Sequence, residues 1–422
     1  MPRRDHTQPR LMSLHSVVIA GAGQAGFQTA ASLRQDGYDG RITLVGDEPG
    51  LPYQRPPLSK AYLMGKTSAE ALCFRPEKFF ADNKIEVVAP TRVTAIDRTN
   101  RRVALASGGA LEYDHLVLAL GAHNRTLPIP GADFEGVFGL RTLADADAIG
   151  AMLADAQEVV VAGAGFIGLE FAAVASVLGK SVHVLELADR PMARAVSPAM
   201  SDLFADAHSS WGVKIDFGQG LAGILGEAGR VASVETTDGR KRPADIVVFG
   251  IGVLPNVAIA AEAGLDIDNG IKVDADLLTS DPAISAIGDC ASFPSPHAAS
   301  HIRLESVQNA ADQSRAVAAR LMGKVAPYAA VPWFWSDQRD LKLQIAGLSS
   351  GCDHTVIIGN ADERRMSVLC FRRDKLIAVE SVNRGSDHVA ARKIFGRGMP
   401  ALAAAEASKP GFDLKAWEAA TR

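Results

Sequence analysis

Two strings carry the first readable chemistry. Residues 17–47 run VVIAGAGQAGFQTAASLRQDGYDGRITLVGD, and residues 159–187 run VVVAGAGFIGLEFAAVASVLGKSVHVLEL. Each holds a GxGxxG spacing: Gly21, Gly23 and Gly26 in the first, Gly163, Gly165 and Gly168 in the second. The first glycine of such a turn permits the tight bend. The second lets backbone approach a diphosphate, and the third lets helix and strand pack closely. The helix that follows offers unbonded amides and a partial positive charge to an anion. An acid closes each string: Asp47 (with Glu48 beside it as an alternative) and Glu186, at offsets near the ~20 residues that suit a ribose diol. One GxGxxG is a weak signal. Two complete copies predict two dinucleotides on one chain, and electron transfer between them is the simplest chemistry for that pairing.

The elements that position these turns follow from residue type. Each string opens with a β-branched run, suited to a strand buried on both faces. An Ala/Leu-rich helix stretch follows, stopped by Gly37 or Gly179, and then a second β-branched run. Each copy is a βαβ unit. Residues 85–118 (IEVV, RVTAI, RRVALA, HLVLAL) read as a meander leading back to the sheet. Residues 243–251 predict a buried strand, 271–290 two short runs, and 303–323 an amphipathic helix. Beyond Pro332, TVIIG, RMSVLCF and KLIAVESV are spaced as antiparallel strands, with a turn at 372–375 and then helices with Ser386 as N-cap. The fold class is α/β: two Rossmann-like dinucleotide-binding domains plus a C-terminal α+β domain. Asp289, after a glycine at a strand end, is either a turn former or a ligand.

Composition excludes several classes. Among 422 residues, 44 Lys+Arg against 48 Asp+Glu give a net charge of −4, which argues against a polybasic nucleic-acid binder. No run of about 18 apolar residues predicts a membrane span. Cys73, Cys290, Cys352 and Cys370 lie far apart with no CxxC, so neither a zinc ribbon, a disulfide framework nor a local redox dithiol is expected. Reduced thiols suit a cytoplasmic protein. The basic opening, MPRRDHTQPR, lacks the apolar core of a signal peptide and reads as a frayed tail.

The strings LPYQRPPLSKAYL (51–63), GFIGLE (165–170), AIGDC (286–290), RLESVQNA (303–310) and PWFWSDQ (332–338), together with the first glycine turn, resemble the flavoprotein NADH:ferredoxin reductases. Those enzymes serve bacterial haem-thiolate monooxygenases and aromatic-ring dioxygenases and share a glutathione reductase-like architecture. The resemblance spans about residues 17–390. It implies an FAD-binding domain in two segments (14–122 and 250–330), an NAD-binding domain (123–249) and a C-terminal domain (331–422). It also implies roles. Ala25 contacts the FAD diphosphate, and Asp47 or Glu48 the adenosine ribose. Arg55, Pro56 and Lys60 lie by the flavin or diphosphate, Val93 at the adenine end, and Arg141 near FAD. Asp289 binds the ribityl or phosphate portion, Val307 offers an amide to the flavin ring, and Trp335 packs beside it. Gly163, Gly165, Ile167 and Gly168 cradle NADH, and Gly252 lies by the nicotinamide.

Lys60 and Glu170 form the implied catalytic pair, with Lys60 beside the flavin and Glu170 near the nicotinamide amide. Glu186 favours NADH, because a carboxylate accepts from a ribose diol and repels a 2′-phosphate. Arg190 and Arg194 are the nearby arginines that would accept such a phosphate. The segment PPLSKAYL has no cysteine where peroxidase and oxidase relatives carry one, and Cys73 reads as a buried thiol. Electrons are therefore expected to leave singly for a separate 2Fe–2S ferredoxin, since the chain has no Cys cluster for a centre of its own. Ferredoxins of this kind are usually acidic, and Arg315, Arg339 and Lys342 are the candidate basic docking residues. The alternatives are an NADH oxidase or peroxidase of the same fold, and a non-catalytic NADH-responsive redox sensor. Monomer and homodimer both remain open.

Overall fold

The computed structural model describes residues 14–398 and 402–421; the basic opening stretch lies outside them. By contact the chain divides into two compact units. One comprises residues up to Tyr53, Cys73–Ala122 and Pro255–Ala329. The other comprises Gln54–Leu72, His123–Leu254 and Ala330 onward.

Each unit is built on a five-stranded sheet centred on a glycine-turn strand. In the first, Ser16–Ala20 is flanked in parallel by Arg41–Val45 and His115–Leu118, with Ile85–Val88 and Ile284–Ala286 outside. In the second, Glu158–Ala162 is flanked by Ser181–Glu186 and Ile246–Phe249, with Lys214–Phe217 and Val137–Gly139 outside, all parallel. The central strands are buried along almost their whole length. This is why they read as continuous apolar runs rather than alternating ones.

The stretch 85–118 departs from the expected meander. Ile85–Val88 joins the parallel sheet, and only Val93–Asp97, Arg102–Leu105 and Ala110–Glu112 form the antiparallel three-stranded piece. Apolar spacing alone does not distinguish an outer parallel strand from the first strand of a meander. The second unit repeats the device with Leu221–Glu227, Arg230–Thr236 and Lys241–Pro243.

Residues beyond 332 form a five-stranded antiparallel sheet, Trp333–Gln338, Leu341–Gly347, Lys375–Val382, Arg365–Arg372 and His354–Asn360 in spatial order. Its hairpin at Arg373 and Asp374 has both residues at positive φ, the backbone a two-residue turn demands. One face packs on the helix Gly385–Gly396 through Leu369, Phe371, Val379, Ile394 and Phe395. That helix starts at Gly385 after Arg384, with no side-chain cap, so Ser386 lies inside its first turn and is not the N-cap.

The segment Gln54–Leu72, which the resemblance placed within 14–122, clusters with the second unit. Its Lys60 and Ser59 bond Glu170, and Tyr62 Oη donates to Asp147 at 2.6 Å.

Candidate functional site

The two glycine turns share their construction. At Gly21 φ is +111°, and a Cβ there would sit 2.1 Å from the Ala119 carbonyl oxygen. A Cβ on Gly26 would lie 1.8 Å from Gly21 O, and one on Gly168 would lie 2.1 Å from Gly163 O. Backbone therefore occupies the space behind the first and third glycines. Around Gly23 nothing lies within 4 Å of the Cβ position, so the second glycine faces open space.

The helices Gln24–Gln35 and Phe166–Val177 begin after Gly23 and Gly165 with no side-chain cap. By contrast, Thr142, Ser197 and Ser306 cap the helices that follow them. First-turn amides left without a cap are what a diphosphate would satisfy. Both turns fit a dinucleotide. Gly37 and Gly179, at positive φ, end the two helices as expected.

In the first unit, Ser314 Oγ donates to Ala25 O at 2.8 Å and Gly288 N to Gln313 Oε1 at 2.7 Å. These bonds bring the helix Val307–Leu321 and the Gly288–Cys290 turn, with Asp289, against the first glycine turn. The Val307 amide, at the start of its helix, has no acceptor within that helix. Asp47 is exposed, with Arg92 at 3.8 Å, while Glu48 accepts from Tyr53 Oη at 2.5 Å. Val93 is buried at the head of its strand.

In the second unit, Glu186 is held by backbone: Oε2 accepts from Ala164 N at 2.6 Å and Oε1 from Ala188 N at 2.8 Å. The carboxylate is thereby fixed at the mouth of the second glycine turn. Ile167, in the first turn of the following helix, is 43% exposed, an apolar side chain presented beside the cradle. Gly252 has φ +99°, and Arg125 Nε and Arg194 Nη2 lie 3.6 and 3.8 Å from its Cβ position. Arg190 turns inward instead, donating to Ala193 O, Val196 O and Ser201 Oγ.

The Lys60–Glu170 pair also forms in the second unit. Nζ lies 2.5 Å from Oε2, and the two side chains are 19% and 3% exposed. Lys60 Nζ also donates to Pro56 O at 3.1 Å. Sequence reasoning missed two hydroxyls on the same carboxylate: Ser59 Oγ donates to Oε2 at 2.5 Å and Ser336 Oγ to Oε1 at 2.7 Å. Both serines sit in the motif strings, but nothing in their spacing shows that they converge. Three donors, one of them an ammonium, thus satisfy the two oxygens of a buried carboxylate. Arg55 Nη1 donates to Arg141 O at 2.7 Å, joining two more of the expected residues. Trp335 is half-buried and tilts against Trp333, and Phe334 meets Phe166 at 4.5 Å.

All four cysteines are free, and burial pushes Cys290 up to about 11 and Cys370 upward as well, so neither offers a thiolate. Cys73 is half-buried rather than buried, in a segment that bridges to Tyr53. Among the described residues no cluster of His, Cys, Asp and Glu is placed to hold a metal, and no helix is long and apolar enough to cross a membrane. Arg315 pairs with Asp312 at 2.9 Å, Arg339 lies over the Trp211 ring, and Lys342 is exposed.

Comparison with known proteins gives a consistent result. Residues 15–314 match the pyridine nucleotide-disulphide oxidoreductase family model, and residues 333–417 match the reductase C-terminal model. Rhodocoxin reductase of Rhodococcus erythropolis is 52% identical over 400 residues, covering 95% of this chain and 93% of that protein. Putidaredoxin reductase CamA of Pseudomonas putida is 41% identical, covering 91% and 92%. The crystal structure of the ferredoxin reductase for the CYP199A2 system from Rhodopseudomonas palustris superposes with a TM-score of 0.93 at 53% identity, covering 96% of this chain and 99% of that one. The putidaredoxin reductase–putidaredoxin covalent complex superposes with a TM-score of 0.93 at 40% identity, covering 96% and 98%.

Proposed function

The chain belongs to the pyridine nucleotide-disulphide oxidoreductases that carry a reductase C-terminal domain, and from that premise we propose that it is an FAD-dependent NADH:ferredoxin oxidoreductase. It takes hydride from NADH and passes single electrons to a 2Fe–2S ferredoxin that supplies a monooxygenase or dioxygenase. The observation that carries this reading is the pair of uncapped glycine-turn helices, one in each unit, on a chain whose four cysteines are all free. FAD, when bound, supplies two-electron acceptance and one-electron release.

The protein supplies binding, orientation and charge. Gly21, Gly23, Gly26 and Ala25 hold the FAD diphosphate, Asp47 or Glu48 its ribose, and Asp289 and Val307 its inner portion. Arg55, Arg141, Val93 and Trp335 complete that set. Gly163, Gly165, Ile167 and Gly168 hold the NADH diphosphate, Glu186 the ribose diol, and Gly252 with Arg194 the nicotinamide end. Lys60 and Glu170 neutralise each other in a dry site and orient the nicotinamide; hydride transfer needs alignment, not a proton donor. The compartment fitting free cysteines is the cytoplasm.

Stopped-flow reduction by NADH tests the pair. Lys60→Ala keeps its flavin and slows reduction by about tenfold or more, as misalignment at a reacting centre does. A wild-type rate in flavin-loaded Lys60→Ala removes Lys60 from the mechanism.

A further inference from the structure

The hydrogen bonds on Glu170 continue well beyond it. Ser336 and Gln338 are two apart on the strand Trp333–Gln338, so both side chains leave the same face. Ser336 Oγ donates to Glu170 Oε1 at 2.7 Å, Gln338 Nε2 donates to Ser336 Oγ at 3.2 Å, and Gln338 Oε1 lies 2.8 Å from His208 Nε2. Ser336, Gln338 and His208 are each 1% exposed or less.

The direction of every link follows from donor chemistry. An ionised carboxylate only accepts, so the Ser336 hydroxyl donates to it and accepts from the Gln338 amide nitrogen. The amide oxygen then faces His208 and accepts from Nε2–H. His208 Nδ1 is buried with no hydrogen-bond partner among the described residues, and burial holds the ring down to about 4. The ring is therefore neutral, with its proton on Nε2. Three elements are tied in this way: the helix Phe166–Val177, the strand Trp333–Gln338 and the helix Pro198–Ser210.

We propose that Ser336, Gln338 and His208 are positioning residues for Glu170. They form a one-way hydrogen-bonded chain that holds the carboxylate in the rotamer presenting Oε2 to Ser59 and Lys60. The proposal rests on the reading of the Lys60–Glu170 pair given above. Without Ser336, Oε1 is buried and short of a donor, and the carboxylate gains by turning to share the donors on Oε2. The same grip fixes a helix of the NADH-binding region against the first strand of the C-terminal sheet, so the pair's geometry depends on a domain that carries neither glycine turn.

Two measurements on the flavin-loaded protein test this. The first is nitrogen NMR of histidine-labelled enzyme. His208 is the Nε2–H tautomer, and Glu170→Gln, whose amide can donate toward Ser336, lets the chain reverse and shifts the His208 ring signals from three links away. A proton on Nδ1 in the wild type, or a His208 signal unmoved by Glu170→Gln, overturns the proposal. The second is single-turnover reduction by NADH. Ser336→Ala lowers the limiting rate about tenfold while the NADH dissociation constant changes less than about twofold, as expected for a lost bond to a charged group. Ser336→Thr, which keeps the hydroxyl, recovers most of that rate, and Ser336→Ala adds nothing on top of Glu170→Gln. Gln338→Met, a packing-conservative variant, shows a smaller loss of about threefold. If Glu170→Gln is slow but Ser336→Ala and Gln338→Met reduce at the wild-type rate, the positioning chain is refuted and the pair's role stands. If Glu170→Gln itself reduces at the wild-type rate, the Lys60–Glu170 reading fails and the chain with it.

Discussion

Glu186→Gln separates a charge effect from a structural one. The Glu186 carboxylate is held by the Ala164 and Ala188 amides at 2.6 and 2.8 Å, so it cannot swing away from a ligand in the second glycine turn. A 2′-phosphate placed about 4 Å away meets roughly 4 kcal/mol of repulsion per unit charge at an effective dielectric of 20. That phosphate carries a charge of about −1.5 to −2. Glu186 is only half-buried, so solvent and counterions remove most of this. About 2 kcal/mol survives on that discount, or roughly thirtyfold in kcat/KM against NADPH. Arg190 does not offset it, because its guanidinium is committed to Ala193 O, Val196 O and Ser201 Oγ. Glutamine keeps one acceptor and loses the charge. Both cofactors bind more weakly once the Ala164 or Ala188 amide loses its partner, but their ratio isolates the electrostatics. The assay is steady-state kcat/KM for NADH and NADPH with an artificial acceptor, at low and moderate ionic strength. The expected result is a ratio that collapses about thirtyfold in the variant and shrinks with salt in the wild type. A ratio unchanged by Glu186→Gln, or a wild type that prefers NADPH, refutes the reasoning.

The other predictions concern the glycine turns, docking and pH. Gly26→Ala and Gly168→Ala each drive a methyl into a backbone carbonyl, at 1.8 and 2.1 Å, so neither clash is relieved by a side-chain shift. Gly26→Ala should purify with little flavin, whereas Gly168→Ala should keep its yellow colour and lose NADH affinity by about tenfold or more; visible spectra and NADH titration read the two separately. Ferredoxin-dependent cytochrome c reduction should fall steeply with added salt while ferricyanide reduction does not, because screening weakens a basic docking surface that includes Arg315, Arg339 or Lys342. A flat salt response in both assays counts against those residues. Burial holds His115 at about 3 and His208 and His388 at about 4, so their contribution to stability is complete above about 6.5, the ordinary histidine value, and is lost as pH falls through the folded values. Denaturant midpoints should therefore drop between pH 6.5 and 4, and His208→Gln should flatten part of that slope. Glu380 runs the other way: burial raises its carboxyl despite bonds from Ser197, so its contribution falls as pH climbs out of the ordinary carboxylate range.

The glycine turns, their strands and helices, the helix stops at Gly37 and Gly179 and the antiparallel strands after 353 were all legible in the chain. Each depends on residues within a few positions of one another, where backbone freedom, apolar period and capping act directly. Tertiary structure decided the rest. Ile85–Val88 became a parallel strand because Arg41–Val45 lay open beside it, and Gln54–Leu72 clustered with residues from His123 onward rather than with the strands on either side of it in sequence. Glu170 shows the limit most clearly. On its own helix it is one carboxylate among apolar neighbours, and only folding brings Ser59, Lys60 and Ser336 to its two oxygens. Burying a charge requires donors wherever the chain can deliver them, and donors delivered across more than a hundred residues leave no period, spacing or cap in the sequence by which to find them.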